Sequence, residues 1–281
     1  MKNETDYTLN IHGHLLDLNC PQVMGILNCT PDSFYAGSRV QTEQAIAERA
    51  QEIIAEGGTI IDVGAFSTRP GADDVSEEEE LKRMRTALAI VRRECPDAVV
   101  SIDTFRPNVA RVAVEEYGAD IINDVSEGGI STIAGREVCN SNGDVPEMFR
   151  TVARLGVAYI LMSVQRNLHD TLMNFSRKVQ QLRDLGQKDI ILDPGFGFGK
   201  TIEENYRLLG ELDKLKVFGL PLLVGISRKR MIYQLLNITP DEALNGTTVA
   251  HAVALMKGAS ILRVHDVREA VEAVKIVNAE G

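Results

Sequence analysis

Short apolar segments rich in valine and isoleucine recur along the chain at regular intervals. Most of them are apolar nearly throughout instead of alternating, which is typical of strands buried on both faces of a parallel sheet. They cover residues 23–28, 59–64, 98–103, 120–125, 158–163, 189–194, 221–226 and 260–265. Stretches with the helical spacing of apolar residues lie between them. The pattern therefore predicts a regular alternation of strands and helices.

Local signals mark where some of the helices begin and end. The stretch 41–58 has apolar residues at helical spacing and closes with two glycines, a typical helix stop. Ser76 is followed three residues later by Glu79, which predicts a capping box at the start of a helix. The segment 239–242 predicts another helix start, with Pro240 in the first helical position.

The repeated strand–helix units predict an α/β fold, a single (β/α)₈ TIM barrel that takes in residues 1–281 as one domain. The alternative is an open doubly wound sheet, but the even spacing and the lack of a glycine-rich first turn favour the barrel. Residues 7–18 alternate around Gly13 and predict an N-terminal β-hairpin that closes the N-terminal end of the barrel. Residues 127–144 predict a long, mobile polar loop after the fourth strand.

Charge and composition narrow the partners and the compartment. The net charge is −10 and no run is rich in lysine and arginine, so no nucleic-acid partner is expected. The four cysteines lack the spacing of zinc ligands. The first residues lack the apolar segment of a signal peptide, and no apolar run approaches the roughly 20 residues of a membrane span. We therefore expect a cytoplasmic protein that has no membrane partner.

The glycine-rich stretch DPGFGFGKT, residues 193–201, superficially resembles a nucleotide-binding loop. A P-loop needs a glycine five residues before Gly199, where this chain has Pro194. The glycines alternate and do not follow the dinucleotide-binding spacing either. The stretch therefore does not predict a nucleotide site, and Lys200 is interpreted as a loop or surface residue and not a phosphate ligand.

Polar residues stand at the ends of several predicted strands, where the chemistry of a barrel is located. Asp103, Asn123 and Asp193 form a set of hydrogen-bond acceptors at three of these ends. Single carboxylates at such positions are often structural, but several at one barrel mouth need a polar partner. The set predicts a ligand with several N–H donors.

Cationic residues follow the last two strands. Arg263 and His265 are two apart and point to the same side of the eighth strand, and Ser227 and Lys229 follow the seventh. This corner of a barrel commonly binds phosphate. Asn28 ends the first strand and offers a neutral oxygen that could bind Mg²⁺ beside a diphosphate. The predicted site thus has a nitrogen-rich planar group at one end and an anion at the other.

Seven segments in order resemble the dihydropteroate synthase family and cover nearly the whole chain. They are MGILNCTPDSF, IIDVGAFSTRPGADDVSEEEE, SIDT, ADIINDVS, DPGFGFGKT, VGISRK and ILRVHDV. The resemblance implies an enzyme of folate biosynthesis and a target of sulfonamides. Such an enzyme, a transferase, joins 6-hydroxymethyl-7,8-dihydropterin diphosphate to p-aminobenzoate and releases diphosphate and dihydropteroate. The resemblance also implies that the pterin diphosphate and p-aminobenzoate are the small-molecule substrates and that the chain forms a homodimer.

The same resemblance implies a role for each matching residue. The pterin ligands would be Asp103, Asn123, Met162, Asp193 and Lys229. The diphosphate ligands would be Asn28, Thr68, Arg263 and His265, with the cofactor Mg²⁺ bound at Asn28. The p-aminobenzoate side would contain Thr68, Arg69, Pro70, Phe198 and Ser227. The catalytic residues would be Asp103, Asp193, Lys229, Arg263 and His265. The TPDSF and STRPG segments would be mobile loops.

Some positions depart from the pattern of the family. The segment after the fifth strand reads LMSVQRN where the family usually has His-Met-x-Gly, Arg230 follows SRK where serine is usual, and Phe66 precedes STRPG. Two other functions stay open at this point, a non-catalytic pterin-binding paralogue and a pterin-dependent methyltransferase. A third alternative is a barrel whose polar strand ends are only structural. The STRPG, SRK and Arg-x-His segments favour the synthase, because a pure pterin binder has no use for a diphosphate site.

Overall fold

The computed structural model describes residues 7–29, 39–66, 75–129, 132–133, 136–137 and 145–279. The strands are β1 Thr8–Ile11, β2 His14–Asp17, β3 Gln22–Asn28, β4 Ile60–Gly64, β5 Val99–Asp103, β6 Ile121–Asp124, β7 Thr132–Ile133, β8 Arg136–Glu137, β9 Ala158–Met162, β10 Ile190–Asp193, β11 Leu223–Val224 and β12 Ile261–Val264. The helices are α1 Arg39–Ala55, α2 Glu77–Glu94, α3 Pro107–Tyr117, α4 Glu147–Leu155, α5 Leu168–Asp184, α6 Ile202–Gly210, α7 Arg230–Leu236, α8 Leu244–Met256 and α9 Val267–Asn278. A 3₁₀ helix covers Leu212–Phe218.

Eight parallel strands form the central sheet, in the order β10-β9-β6-β5-β4-β3-β12-β11. The two end strands meet, because Leu192 forms a parallel bridge with Leu222 and its N–H donates to the carbonyl of Pro221 at 2.9 Å. This contact closes the sheet. The (β/α)₈ barrel is therefore confirmed and the open sheet is excluded.

The hairpin of β1 and β2 fills the N-terminal end of the barrel, as predicted. Leu9 and Leu18 are fully buried in one apolar cluster with residues from the starts of the barrel strands. Those strand residues are Met24, Ile60, Ile121, Ala158, Ile160, Ile191, Leu223 and Ile261. Alternate residues of each strand point inward, so this cluster is the lower layer of the barrel interior. The polar strand ends form the upper layer.

The outer surfaces of the strands pack against the helices in a larger apolar core. At the start of α2 the Ser76 side chain accepts from the N–H of Glu79 at 3.2 Å, as the capping-box pattern predicts. The Glu79 carboxylate does not complete the box in this conformation but accepts from Arg83 at 2.7 Å. The predicted N-cap at Ser76 is confirmed. The Glu79 carboxylate, which would complete the capping box, pairs with Arg83 of the same helix instead.

The predicted helix start at Thr239 is wrong, because α8 begins at Leu244. Glu242 accepts from both the N–H and the hydroxyl of Thr239, each at 2.9 Å, which forms a turn. Arg228 donates to the carbonyls of Pro240 and Asp241 at 3.1 and 2.9 Å. The carbonyl of Pro240 also accepts from the N–H of Ala243 at 3.3 Å. The segment therefore forms turns, held by Arg228, before the helix begins.

The segment after β6 is only partly an irregular polar loop. Strands β7 and β8 form a two-residue antiparallel ladder, and Glu127 is buried at the start of the segment. The mobility expected for 127–144 falls largely on residues outside the described ranges.

Within the ranges that are described, no helix is long and apolar enough to cross a membrane.

Candidate active site

The mouth of the barrel brings the predicted acceptor residues together. Asp103 ends β5 and is the register neighbour of Asn123 in β6. Asp193 ends β10 beside Met162 of β9. Asn123 and Asp193 are buried, and the Asp103 side chain is 16% exposed. Four strand ends therefore present three acceptors and a thioether to one region.

Asp62 connects this acceptor set to the cationic corner. Its carboxylate accepts from Nε of Arg263 at 2.7 Å and from Nδ2 of Asn123 at 3.3 Å. Arg263 also donates from Nη2 to Oδ2 of Asp103 at 2.7 Å. A continuous chain of polar contacts thus runs from Asn123 through Asp62 and Arg263 to Asp103. Arg263 therefore lies against the acidic residues, and the two ends of the site meet at its guanidinium.

Asp62 was not predicted as a site residue. It lies inside a strand that is buried at every position, and it is itself fully buried. A charged residue in the middle of a buried strand needs a partner, and this is the signal that could have identified it. Its partner, Arg263, is 201 residues away in sequence.

The side-chain oxygen of Asn123 is buried and has no hydrogen-bond partner among the residues that the structure describes. The orientation of the amide follows from its other contact, because the Asp62 carboxylate can only accept and so faces Nδ2. Buried acceptors without partners are rare and costly. Asn123 Oδ1 therefore marks a position where an N–H group of a ligand can bind.

Asp103 has an altered acidity. Burial raises the pKa of its carboxyl from 3.8 to about 7; Arg263 opposes this shift, and the carboxylates of Asp62 and Glu80 add to it. The charge of Arg263 is itself opposed by burial, but Asp62 and Asp103 outweigh that effect and raise its pKa. The guanidinium of Arg263 is thus the single positive charge beside two carboxyl groups, those of Asp62 and Asp103, at the centre of the mouth.

Lys229 lies beside the β10 loop. Its Nζ donates to the carbonyl of Phe196 and lies 4.8 Å from the ring centroid of Phe198. Burial lowers the pKa of Lys229 to about 8, although the carboxylate of Asp193 opposes the shift. Burial raises the pKa of Asp193, and Lys229 counteracts this. Asp193 also accepts from the N–H of Gly195 at 2.8 Å.

The final Lys-Thr of the DPGFGFGKT stretch has structural roles. Lys200 donates from Nζ to the carbonyls of Ser163, Gly195 and Phe198 at 3.3, 2.9 and 3.3 Å. Thr201 is the N-cap of α6 and forms a full capping box with Glu204. Lys200 is thus a partly buried loop residue that holds carbonyl groups, which agrees with its interpretation as a loop residue.

Ser227 and His265 lie together at the predicted phosphate corner. The Ser227 hydroxyl is 3.1 Å from Nδ1 of His265 and accepts from the His265 N–H at 3.2 Å. Arg49 donates to the carbonyl of His265 at 2.6 Å. Arg228 forms a two-pronged ion pair with Asp266, which joins the turn after β11 to the turn after β12. These contacts fix both turns.

Asn28 ends β3 next to a position without a side chain. A methyl group built on Gly64 would lie 3.3 Å from Oδ1 of Asn28 and 3.8 Å from Oδ2 of Asp103. Glycine therefore leaves a space that two oxygens border, and oxygen ligands suit Mg²⁺. No group of three or more histidine, cysteine, aspartate or glutamate side chains within the described ranges could hold a metal ion.

An apolar wall lines the other side of the mouth. Val125 and Met162 are buried in a cluster with Val164 and Phe198, and Phe66 and Phe105 complete it. The two last rings pack edge to face with centroids 5.3 Å apart. Such a wall can pack against a planar ring. The predicted residues Thr68, Arg69 and Pro70 and the TPDSF segment lie outside the described residues.

A groove of about 520 Å³ lies at the opposite end of the barrel, between the hairpin and β5. Three of its polar side chains already have partners. His12 is 3.0 Å from Asp120, and Arg92 donates to Asp120 and to the carbonyls of Tyr117 and Ala98. Unlike the mouth, the groove has no buried side-chain oxygen that lacks a partner among the described residues. The mouth is therefore the candidate active site.

Comparisons with known proteins show which family the chain is similar to. Residues 24–265 match the family model described as "Pterin binding enzyme". The dihydropteroate synthase of Escherichia coli strain K12 is 40% identical, over 95% of this chain and 94% of that protein. A Xanthomonas albilineans dihydropteroate synthase solved with 4-aminobenzoic acid has a TM-score of 0.87 and 34% identity, and the match covers 98% of both chains.

A second solved structure gives the same result. The dihydropteroate synthase of Yersinia pestis, solved as a complex with a sulfonamide drug, has a TM-score of 0.83 and 37% identity, and the match covers 98% of both chains. The family model takes in all the strand ends of the described site, and the relatives match at nearly full length. The chain belongs to the pterin-binding enzymes and, within them, to the dihydropteroate synthase family.

Proposed function

We propose that the mouth of this barrel joins 6-hydroxymethyl-7,8-dihydropterin diphosphate to p-aminobenzoate and releases diphosphate. The observation that carries the proposal is the buried oxygen of Asn123, which no described residue contacts by a hydrogen bond, together with the carboxylates of Asp103 and Asp193. This set of acceptors is complementary to the several N–H donors of a pterin edge. Membership of the dihydropteroate synthase family supports the same reaction.

The pterin would lie between the acceptor set and the apolar wall. Asn123, Asp103 and Asp193 would accept from its ring nitrogens and amino group, and Lys229 would donate to a ring oxygen or nitrogen. Met162 would pack on the ring face, since its thioether belongs to the buried end of the wall. Directional bonds at the edge and packing on the face would fix the orientation of the reacting CH₂ group.

The diphosphate would bind at the ends of the neighbouring strands β3 and β12, with Asn28, Arg263 and His265 as its ligands. Arg263 stays charged, because the carboxylates of Asp62 and Asp103 raise its pKa. Bound Mg²⁺ would supply positive charge that stabilises the departing phosphate oxygens, and Asn28 with the substrate phosphates would hold it. Thr68 is also proposed as a diphosphate ligand.

The p-aminobenzoate would approach from the side of Phe198 and Ser227. Phe198 is partly exposed and gives a flat apolar surface, and Ser227 is held by His265. Thr68, Arg69 and Pro70 are proposed to complete this side. The Xanthomonas structure with 4-aminobenzoic acid concerns a relative that is 34% identical, and it supports a site for this ligand here.

Charge separation explains how the residues would assist the reaction. The bond between the pterin CH₂ carbon and the diphosphate oxygen breaks, and positive charge spreads into the ring. Asp103 and Asp193 stabilise this charge, and Arg263 and His265 stabilise the leaving diphosphate. The aryl amine forms the new C–N bond and then releases one proton. Because the amine is neutral near pH 7, no strong general base is needed.

Product analysis tests the proposed reaction. The purified protein is incubated with dihydropterin diphosphate, labelled p-aminobenzoate and Mg²⁺, and labelled dihydropteroate is measured. Product formation that depends on both substrates supports the synthase. Pterin binding without product would indicate a non-catalytic paralogue or a methyltransferase. Transfer of a methyl group from an added methylated tetrahydropterin to a nucleophilic acceptor would then indicate the methyltransferase. Asn28→Ala is expected to raise the Mg²⁺ concentration for half-maximal rate by roughly tenfold.

We also infer that the chain forms a homodimer through α8. This helix is apolar around most of its circumference, with Ala254 and Leu255 facing the core and Val249, Val253 and Met256 exposed. An apolar outer face on a helix is typical of a covered helix. Sedimentation should give a dimer, and Val249→Glu with Met256→Glu should give a monomer. Met173→Glu, an equally exposed position on α5, is the control.

A further inference from the structure

Two charged side chains that the proposed reaction does not use contact the segment after β9, and a third supports one of them. Glu127 from the β6 loop and Lys200 from the β10 loop contact the segment, and Lys178 from α5 pairs with Glu127. The segment contains Ser163 and Val164, part of the LMSVQRN stretch that departs from the family pattern. Charged groups of two separate loops thus contact two consecutive residues.

Glu127 holds the segment from one side. Its Oε1 accepts from the N–H of Val164 at 2.7 Å, and its Oε2 accepts from Nζ of Lys178 at 2.9 Å. Lys178 also donates to the Glu127 carbonyl at 2.8 Å. The exposed fractions of the Lys178 and Glu127 side chains are 1% and 4%. Glu127 has a φ of +56°, which a residue with a side chain rarely adopts.

These features are costly for a contact that would serve stability alone. Burying an ion pair removes two charges from water, and apolar residues of similar volume are often at least as stabilising. Left-handed backbone at a residue other than glycine adds strain. The pair satisfies one specific backbone N–H, that of Val164, and Lys178 neutralises the carboxylate that does so.

Lys200 holds the same segment from the other side. Its Nζ donates to the carbonyl of Ser163 at 3.3 Å, and the N–H of Ser163 donates to the carbonyl of Asp193 at 2.8 Å. The β10 loop also lies close to the segment, because a methyl group built on Gly195 would lie 2.0 Å from the Ser163 carbonyl oxygen. The segment is therefore clamped between the loops that follow β6 and β10.

The clamped segment forms part of the apolar wall. Val164 packs in the cluster with Met162 and Phe198, and Met162 is the residue just before Ser163. We propose that Glu127 and Lys200 are positioning residues that hold Val164 and Met162 in place as the wall of the pterin pocket, with Lys178 as the counter-ion of Glu127. This inference rests on the proposed function only in taking a pterin as the ligand of the pocket.

A matched pair of double variants isolates the contact with Val164. Glu127→Gln with Lys178→Met removes both charges but keeps a side-chain oxygen for the Val164 N–H. Glu127→Met with Lys178→Met removes both charges and that oxygen. Neither variant leaves an unpaired buried charge. Binding of 6-hydroxymethylpterin is measured by calorimetry, and the exchange of the Val164 amide hydrogen is measured by NMR.

The Gln variant should bind the pterin within about threefold of the original chain, and the Met variant roughly tenfold more weakly, with faster exchange at Val164. Lys200→Met supplies a second test, with a similar loss of affinity. Arg92→Met is the control, because Arg92 holds carbonyls at the other end of the barrel and its loss should lower the Tm without changing affinity.

Equal pterin affinity in the two double variants, with unchanged affinity in Lys200→Met, would overturn the inference. A loss of affinity in Arg92→Met as large as in Glu127→Met with Lys178→Met would also overturn it, because the effect would then follow stability. If the Met double variant does not fold, the Lys200→Met comparison decides. A chain with no pterin affinity in its original form would contradict the proposed function instead, and the Val164 amide exchange would still show whether the clamp exists.

Discussion

Arg263 lies between two carboxylates at the centre of the barrel mouth, 2.7 Å from Asp62 and 2.7 Å from Asp103. When all three are ionised, the group carries one net negative charge. In the proposed reaction, that excess would stabilise positive charge on a bound pterin, and Arg263 would stabilise the departing anion. Charge would then separate across one guanidinium.

The raised pKa of Asp103 predicts an acid limb in the rate profile. Only the ionised carboxylate can stabilise positive charge, so kcat/KM should fall about tenfold per pH unit below the pKa. That pKa is about 7. Steady-state rates from pH 5.5 to 8 check this, and Asp103→Asn should be roughly a hundredfold slower and lack the limb. A constant kcat/KM between pH 5.5 and 7 would contradict the assignment.

The raised pKa of Asp103 also determines whether its ionisation stabilises or destabilises the folded protein. The folded-state pKa of Asp103 lies above its usual value of 3.8, so the native state binds the proton more tightly than the unfolded chain. Its contribution to stability is complete below about pH 4 and is lost as the pH rises through about 7. Asp103→Asn should therefore raise the Tm relative to the original chain more at pH 8 than at pH 5.

Lys229 predicts a basic limb. Burial lowers its pKa to about 8. Above that pH the ammonium loses its charge beside Asp193, so kcat/KM should fall again. Lys229→Met keeps the length of the side chain but removes the charge, and it should reduce kcat/KM by roughly ten- to a hundredfold and abolish the basic limb. A limb near pH 8 that persists in Lys229→Met would exclude Lys229 as its origin.

The sequence predicts the site residues at strand ends better than it predicts the residues that hold them in place. Asp103, Asn123, Asp193 and Arg263 are found from position alone, because parallel strands place their carboxyl ends together. Asp62 and Glu127 are not found, because their roles depend on partners distant in sequence, Arg263 and Lys178. The roles of the site residues, including Mg²⁺ at Asn28, stay predictions.

The loop after β10 shows how one element shapes its neighbour. Gly195 has a φ of +70°, and a side chain there would collide with the carbonyl of Ser163 at 2.0 Å. The glycine is thus required both by backbone conformation and by the close approach of the β9 segment. The alternating glycines that resemble a nucleotide-binding loop are explained in part by this contact.

A glycine pair separates these two requirements. Gly195→Ala should lower the free energy of unfolding by about 3 kcal/mol and weaken pterin binding, because it adds a steric clash to backbone strain. Gly156 has a φ of +68° with no atom within 4 Å of an added methyl group. Gly156→Ala should therefore cost only about 1 kcal/mol and leave binding unchanged. Chemical denaturation and calorimetry measure both effects, and equal costs would remove the steric explanation.

Element boundaries follow the sequence where contacts are local. The predicted barrel strands match those of the structure to within one residue at each end, except that β11 is two residues shorter at each end, Leu223–Val224. The start of α8 could not be predicted, because the turn before it is held by Arg228, which lies outside the segment. Such a contact becomes visible only when the turn after β11 is folded against the segment 239–243.

At the scale of the whole molecule, the barrel has an apolar lower layer closed by the hairpin and a polar upper layer that forms the site. The repeated strand pattern predicts the closed barrel correctly, since eight parallel strands with helices between them have few other arrangements. The interpretation as a single domain and a homodimer stays a prediction. Stability and chemistry are thus assigned to opposite ends.

Because the hairpin and the active-site mouth lie at opposite ends of the barrel, we expect hairpin variants to change stability and not substrate binding. Leu9 is fully buried in the lower layer, and Leu9→Ala should lower the free energy of unfolding by about 3 kcal/mol. The KM values for both substrates should stay within about twofold at temperatures where the variant is folded. Leu15→Ala is the control, because Leu15 is 71% exposed on the same hairpin. A raised KM in Leu9→Ala would show that the ends are coupled.

The central claim is that one mouth binds a pterin through its acceptors and a diphosphate through its cationic corner. Calorimetric affinities for 6-hydroxymethylpterin and its diphosphate, in the original chain, Asn123→Ala and His265→Ala, test it most directly. Asn123→Ala should weaken both ligands by roughly tenfold, and His265→Ala should weaken only the diphosphate, by a similar factor. Equal losses for both ligands in His265→Ala, or no loss in Asn123→Ala, would contradict the two-ended site.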